Sequence, residues 1–308
     1  MKCREFRFEG ADGKEISAIR WENEDEYKIK GIVQISHGMA ENARRYECFA
    51  EKLTKSGYIV YINDHRGHGE SEKCLEDLGY LAENDGFDVL VKDMKILTDI
   101  IKSENQGIPV YLFGHSMGSF ASQKYLIDYA DSVNAIILSG SCGDFGSVLK
   151  LATPVISCVE LVHGDRHRSK FLDKLILGGN NRQFKNPRTD FDWLSRDEKE
   201  VDKYIADDKC GFICTTGFYR DFIKGLKYIE NKRNLLKLTN HVPVLIISGE
   251  KDPVGKNGKG VKNLYDRYIK YGLKDVSMKL YKDARHEILN EINRDEVMQD
   301  IVEWLGTK

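Results

Sequence analysis

The chain contains 308 residues, of which 41% are hydrophobic and 31% are charged. A hydrophobic share of this size can bury one large core or two modest ones, which excludes general disorder. The 47 basic and 49 acidic residues give a formal net charge of −2. The composition therefore lacks the positive excess of proteins that bind nucleic acid or anionic membranes, and no nucleic-acid partner is expected.

The N-terminal sequence and the cysteines predict a soluble, cytoplasmic protein. Residues 1–7 lack the apolar core of a secretion signal, and no stretch approaches the roughly 18 apolar residues of a membrane span. The seven cysteines are odd in number and lack the paired spacing of zinc sites. We therefore expect reduced thiols that serve mostly in packing.

Short apolar runs alternate with helical patterns along the chain, which is typical of a sheet with crossover helices. The predicted strands are, in chain order, 31–36, 58–63, 110–113, 135–139, 244–248 and 277–281. Apolar residues recur every three or four positions from 87 to 101, which predicts a helix with Asp85 as its N-terminal cap. A last helix is predicted after His286.

The alternation stops in the middle of the chain, where helical patterns replace strands. We predict that residues 141–240 form an α-helical insertion in a core made of residues 1–140 and 241–308. Within it, Thr153-Pro154 is typical of a helix start. The basic run 163–170 is typical of a solvated loop, although it could also attract phosphate head groups or an anionic bilayer surface.

The pentapeptide 114–118, Gly-His-Ser-Met-Gly, follows a predicted strand and precedes a helical pattern at 119–129. In this context a G-x-S-x-G sequence forms a tight strand-to-helix turn that lifts the serine hydroxyl clear of the backbone. The glycines remove side chains that would collide there. An ordinary glycine-rich turn with a capping serine is the alternative, but the context favours Ser116 as a nucleophile.

A serine hydroxyl needs a base to accept its proton and an acid to orient that base. Asp252 lies in the segment 249–253 at the C-terminal end of the strand 244–248, and His286 follows the last predicted strand. The order serine, acid, histidine is typical of hydrolases whose nucleophile lies on such a turn. Asp252 is the predicted acid, with Glu250 and Asp283 as alternatives; Asp252 could also be only a turn residue.

Acyl transfer also needs backbone N–H donors for the negative oxygen of the tetrahedral intermediate. The residue after the nucleophile, Met117, is predicted to supply one of them. The loop after the first predicted strand is expected to supply the other, because Gly38 lets the backbone turn there. We predict the Met39 N–H, and a plain strand exit is the alternative.

Several segments resemble the monoacylglycerol lipase and lysophospholipase group of the α/β-hydrolases. They are 37–41, 63–71, 114–118, 193–197, 204–207 and 249–252, and they span almost the whole chain. The resemblance implies an eight-stranded, mostly parallel sheet flanked by helices, a helical cap formed by the insertion, and hydrolysis of a small-molecule lipid ester. It also implies Ser116, Asp252 and His286 as the triad, and Met39 and Met117 as the oxyanion donors.

Two further features have alternative interpretations. The run 64–69 holds an aspartate and two histidines, but no second cluster at ligand spacing accompanies it, so a hydrogen-bonded turn is favoured over a metal site. Apolar residues at 148–162 either pack on the core or line an acyl-chain tunnel.

Together these features predict a serine hydrolase that cleaves carboxylic esters of lipids, monoacylglycerol or lysophospholipid, through an acyl-enzyme on Ser116 and without a cofactor. The nearest alternative is a serine aminopeptidase or thioesterase. In an aminopeptidase, Asp144, Glu160 or Asp190 could anchor the substrate ammonium group. The alternative from another class is a non-catalytic small-molecule binder of the same fold. Transient contact with a membrane surface through the cap is also expected.

Overall fold

The structure is a computed structural model that describes residues 1–24, 28–146 and 148–308, with Val148 described by its backbone alone. Its strands are β1 Lys2–Glu9, β2 Glu15–Glu22, β3 Gly31–Ser36, β4 Tyr58–Asn63, β5 Val110–His115, β6 Ala135–Ser139, β7 Val244–Gly249 and β8 Val276–Tyr281. Its α-helices are α1 Glu47–Lys55, α2 Gly86–Glu104, α3 Met117–Tyr129, α4 Val148–His163, α5 Lys170–Ile176, α6 Glu198–Ala206, α7 Thr216–Glu230, α8 Lys232–Leu235, α9 Lys259–Lys270 and α10 Arg294–Leu305.

Across the described residues the strands form one eight-stranded sheet in the order β1-β2-β4-β3-β5-β6-β7-β8. β2 pairs antiparallel with both β1 and β4, and the other neighbours are parallel. The mostly parallel sheet is therefore confirmed. The six strands predicted from the sequence agree with the structure to within two residues at each end.

The hairpin of β1 and β2 escaped the sequence analysis. β1 is an edge strand whose outward residues are charged and exposed, and only Phe8 is buried in it. Such a strand lacks the continuous apolar run that marks a buried parallel strand. The hairpin extends the sheet beyond β4 through pairs such as Ile19 with Ile62.

Helices cover both faces of the sheet because alternate residues of each buried strand point to opposite sides. On β5, Leu112 belongs to a buried cluster that includes residues of α2, α3, α7 and α9, whereas Phe113 belongs to a second cluster that includes residues of α1 and α10. Two apolar layers therefore enclose the sheet. The carboxyl ends of β3, β5, β6 and β7 meet at one edge, where sites cluster in open α/β sheets.

Two details of the predicted helices differ from the structure. Asp85 occupies the N-cap position of α2, but its side chain makes no capping hydrogen bond and pairs with Lys224 instead. Pro154 does not begin a helix, because α4 runs through it from Val148 to His163. The apolar face of α4 packs against α7, and this burial outweighs the cost of an internal proline.

The segment between β6 and β7 holds α4 to α8, so it is helical as predicted. α7 packs against α2 and α3 in the layer that covers the sheet, whereas α4 and α5 leave several large apolar side chains exposed. The division into a core of 1–140 and 241–308 and a cap of 141–240 stays a prediction; residue 147 lies outside the described part. Within that part, no helix combines the length and apolarity needed to cross a membrane.

Candidate active site

Ser116 forms the turn between β5 and α3 by itself, since the strand ends at His115 and the helix begins at Met117. Its φ of 51° and ψ of −120° are strained for an L-residue, and proteins keep such strain mainly at functional positions. The Ser116 N–H donates to Ser139 O on β6 at 2.9 Å, which fixes the turn against the sheet. Ser116 is partly exposed, while both neighbours are buried.

The two flanking glycines are required by the close approach of α3 to the sheet. A Cβ on Gly118 would lie 2.5 Å from His37 O and closer still to Ser36 O. A Cβ on Gly114 would lie 2.5 Å from Gly118 O. Real Cβ contacts are longer than 3.0 Å, so only glycine fits at either position without a backbone shift.

Asp252 and His286 form a buried pair at the same edge of the sheet. His286 Nδ1 donates to Asp252 Oδ1 at 2.9 Å. The same carboxylate accepts the Val254 N–H at 2.8 Å, and its other oxygen accepts the Ser248 hydroxyl at 2.9 Å. Glu250, an alternative acid, contacts the backbone N–H of Asp283 instead. Asp252 is therefore the carboxylate that orients His286.

The charge of Asp252 sets the electrostatics of the pair. Burial opposes the charged form of His286, but the Asp252 carboxylate outweighs it and raises the pKa of the imidazole. Burial likewise acts to raise the pKa of Asp252, but His286 and the accepted hydrogen bonds lower it. The arrangement stabilises an imidazolium next to an ionised carboxylate, which is the state that forms when the base accepts a proton.

His286 lies beside the turn that carries Ser116. Gly140 follows Ser139, the acceptor of the Ser116 N–H, and a Cβ on Gly140 would lie 2.9 Å from His286 Cε1. Within residues 1–24, 28–146 and 148–308, no hydrogen bond joins the Ser116 hydroxyl to His286. Catalytic hydrogen bonds are often long before a substrate binds.

The loop after β3 lies against Ser116, since a Cβ on Gly38 would be 3.3 Å from Ser116 Cβ. The Gly38 N–H donates to Glu41, and the Ala40 N–H donates to His68 Nε2 at 3.2 Å. Between them, the Met39 N–H has no acceptor among the described residues, and neither has the Met117 N–H. These are the two donors that the sequence analysis selected.

The two histidines of the run 64–69 brace this loop together with His37. His68 donates from Nδ1 to Arg66 O at 3.0 Å, which leaves Nε2 to accept the Ala40 N–H. His37 donates to Gly38 O at 2.8 Å and accepts the His65 N–H at 2.9 Å. Burial lowers the pKa of all three imidazoles. They act as neutral hydrogen-bonding groups of a structural turn.

Two segments of the insertion hold the catalytic loops in place. Trp193 O accepts the His286 N–H at 3.3 Å, and the Trp193 ring packs against the imidazole with 5.0 Å between centroids. The Tyr204 hydroxyl and the Gly211 N–H both donate to Ala40 O at 2.9 Å. The first segment thus supports the loop after β8 that carries His286, called the histidine loop below. The second supports the loop after β3 that carries Met39, called the oxyanion loop below because Met39 is a predicted oxyanion donor.

A buried ion pair near the site was missed by the sequence analysis. Arg45 binds both Glu41 and Glu287 with N–O distances of 2.7 Å. Nothing in the local sequence around Arg45 indicates a partner 242 positions away. Only the adjacency of Glu287 to His286 could have drawn attention to it.

Comparisons with known proteins agree with this architecture. The family model described as serine aminopeptidase, S33, matches residues 27–293. A monoacylglycerol lipase of Mycolicibacterium smegmatis is 30% identical over 305 residues, which cover 98% of this chain and 96% of the relative. The human monoglyceride lipase is 28% identical over 97% of this chain and 89% of its own length.

Solved structures give the same result. A carboxyl esterase from Bacillus coagulans in complex with glycerol superposes with a TM-score of 0.91 at 27% identity, covering 100% of this chain and 99% of the other. A soluble variant of the Saccharomyces cerevisiae monoglyceride lipase, with a TM-score of 0.75 and 20% identity over 98% of this chain and 94% of its own, shares the fold. The resemblance drawn from the sequence is thus confirmed: the chain belongs to the S33 serine aminopeptidase family of the α/β-hydrolases.

Proposed function

We propose that this protein hydrolyses carboxylic esters of lipids through an acyl-enzyme on Ser116. The observation that carries the proposal is the buried 2.9 Å hydrogen bond between Asp252 and His286 at the edge of the sheet where the strained Ser116 turn lies. Relatives that match almost the whole chain bear the names monoacylglycerol lipase and monoglyceride lipase. Their agreement favours a glycerol ester with one acyl chain as the substrate.

In this mechanism the Ser116 hydroxyl attacks the acyl carbon while His286 takes its proton. The Met39 and Met117 N–H groups stabilise the oxyanion, and Asp252 stabilises the imidazolium. His286 then gives the proton to the leaving alcohol. A water molecule, deprotonated by His286, attacks the acyl-enzyme, and the acid leaves as Ser116 regains its proton.

The helical insertion 141–240 is proposed to form the cap over the acyl chain. Leu161 is 88% exposed, Val162 73% and Phe171 61%, so the outer ends of α4 and α5 present apolar side chains to solvent. We propose that this face contacts lipid surfaces transiently. Sedimentation with phosphatidylcholine vesicles should fall in a variant with serine at all three positions, and equal sedimentation of that variant would contradict the contact.

A cytoplasmic location is also proposed. All seven cysteines are free thiols, which fits a reducing compartment. The aminopeptidase alternative gains no specific support from its three candidate anchors. Glu160 is paired with Arg220, Asp144 accepts the Gly146 N–H, and Asp190 is exposed.

The proposal is tested by replacing the nucleophile. Ser116→Ala should abolish labelling by a fluorophosphonate probe and lower hydrolysis of monoacylglycerol by several orders of magnitude, on the order of 10⁴-fold or more. Ser103→Ala, at an exposed position of α2, is the matched control and should behave as wild type. Retained turnover in Ser116→Ala would remove Ser116 from the mechanism.

A substrate panel separates the alternatives. Monoacylglycerols, lysophospholipids, p-nitrophenyl esters, acyl thioesters and aminoacyl anilides are offered to the wild-type protein under the same conditions. Preference for anilides would favour a peptidase and preference for thioesters a thioesterase, whereas absence of both turnover and probe labelling would favour a binding protein.

A further inference from the structure

Arg45 bridges two carboxylates that belong to different catalytic loops. Its Nη1 donates to Glu41 Oε2 and to Glu287 Oε1, and its Nη2 donates to Glu287 Oε2, each at 2.7 Å. The side chains of Glu41, Arg45 and Glu287 are 4%, 11% and 7% exposed. The three groups therefore form one buried network rather than a surface salt bridge.

On one side, this network holds the oxyanion loop. Glu41 Oε1 accepts the Gly38 N–H at 2.5 Å and the Tyr46 hydroxyl at 2.9 Å. The bond to Gly38 fixes the His37–Gly38 peptide, which lies one peptide before the Met39 N–H, and His37 holds the carbonyl of the Gly38–Met39 peptide itself. The direction of the proposed oxyanion donor, the Met39 N–H, therefore depends on Glu41 together with His37.

On the other side, the network holds the histidine loop. Glu287 follows His286 directly, and its backbone N–H donates to Leu194 O at 2.7 Å. Its carboxylate takes both donors of the Arg45 fork and also the Asn290 side-chain N–H at 3.0 Å. A shift of this carboxylate would move the backbone that carries the imidazole.

Stability alone does not account for such a network. A buried ion triad is often no more stabilising than apolar side chains of the same volume, since desolvation offsets much of the charge attraction. Burial opposes the charge on Arg45, and its pKa stays above the ordinary value only because Glu287 and Glu41 surround it. Unlike an apolar group, the planar guanidinium donates hydrogen bonds in fixed directions, so it fixes the positions of its two carboxylate partners relative to each other.

We propose that Arg45 is a positioning residue. Through its two carboxylate partners it holds the oxyanion loop and the histidine loop in the relative position that the transition state requires. The inference rests on the proposed ester hydrolysis. In this proposal Arg45 itself does not contact the substrate. A displacement of the two loops relative to each other should weaken interactions that form only in the transition state, so it should lower kcat more than it raises KM.

The network also acts on His286 through its charge. The groups that face the imidazole or act on its charge are Asp252, Glu287, Glu41, His115 and Trp193. A nearby carboxylate favours the imidazolium, and Glu287 raises the pKa of His286 in this way after Asp252. Removing the charge of Glu287 should therefore move the acid limb of kcat/KM to lower pH.

The first test compares Arg45→Lys and Arg45→Met with Arg220→Lys. Arg220 is a matched control because it also bridges two carboxylates, Glu160 and Asp221, on helices that do not carry the triad. With p-nitrophenyl butyrate, the Arg45 variants should lose about 10-fold to 100-fold in kcat, with KM changed by less than about threefold. Arg220→Lys should keep the wild-type kcat.

The second test uses Glu287→Gln, which keeps the shape of the side chain and removes its charge. Its kcat/KM profile should shift to lower pH, whereas the profile of Arg220→Lys should stay where the wild type has it. Thermal unfolding of every variant is recorded, so that a kinetic loss in a folded protein is distinguished from a loss of folded protein.

The outcomes separate the inference from the proposed function. An inactive wild type would refute the ester hydrolysis itself. An active wild type, with Arg45 variants that are less stable but keep kcat within about twofold, would refute the positioning role and leave the network purely structural. An unshifted pH profile in Glu287→Gln would refute its action on His286.

Discussion

Gly118→Ala should damage both stability and turnover, because α3 meets the end of β3 at this residue. The added Cβ would lie 2.5 Å from His37 O and closer still to Ser36 O, whereas ordinary contacts begin near 3.4 Å. The backbones must therefore separate by at least about an ångström, because both oxygens belong to the backbone and not to a side chain that could rotate away. Overpacking of this kind costs about 3 kcal/mol. For 308 residues this lowers Tm by about 5 °C.

The same displacement moves the Met117 N–H away from the oxyanion, and a shift of about 1 Å costs about 10²-fold in kcat. Scanning calorimetry gives Tm, and hydrolysis of p-nitrophenyl butyrate gives kcat. Gly179→Ala is the matched control, since a Cβ there meets no atom within 4 Å and φ is −84°. A Gly118→Ala protein with the Tm and kcat of the control would refute the close approach.

Three further changes test other contacts. Asp252→Asn should keep Tm near that of wild type and lower kcat by about 10⁴-fold, because the amide orients the wrong imidazole tautomer; a loss below about tenfold in ester assays would contradict this. Burial lowers the pKa of His68 and His115 to about 3, so below pH 6.5 only the unfolded chain takes up these protons. Each of these two histidines should then lower the free energy of unfolding by about 1.4 kcal/mol between pH 7.5 and pH 5.5. A calorimetric Tm that does not fall over this pH range would be inconsistent with neutral histidines. Tyr204→Phe removes the hydroxyl bond to Ala40 O and should cost about 1 kcal/mol in urea unfolding; an unchanged midpoint would show that the Gly211 N–H suffices.

The sequence predicted those parts of the site that depend on short-range rules. Ser116 lies between a strand and a helix that can both be predicted from the sequence. Its flanking glycines are required by close backbone contacts at the turn. Asp252 and His286 follow predicted strands of the same sheet, so parallel topology brings them to one edge. Their hydrogen bond could be expected from position alone.

The remaining contacts depend on packing that no local pattern encodes. The pairing of Arg45 with Glu287 joins residues that are 242 positions apart, and both resemble ordinary surface charges in the sequence. Pro154 was expected to begin a helix because its propensity is local, whereas the burial of α4 against α7 is tertiary. Edge strand β1 was not predicted because most of its side chains are exposed to solvent, so its sequence lacks the apolar pattern of a buried strand.

The support that the insertion gives to both catalytic loops limits how the protein can evolve or be engineered. Trp193 and Tyr204 contact His286 and the oxyanion loop. Replacing their segment with the cap of another hydrolase should therefore disturb both. Helices α4 and α5 make no such contacts within the described chain. Changes in acyl-chain preference should therefore accumulate in residues 148–177, whereas substitutions in residues 193–211 should be tolerated poorly.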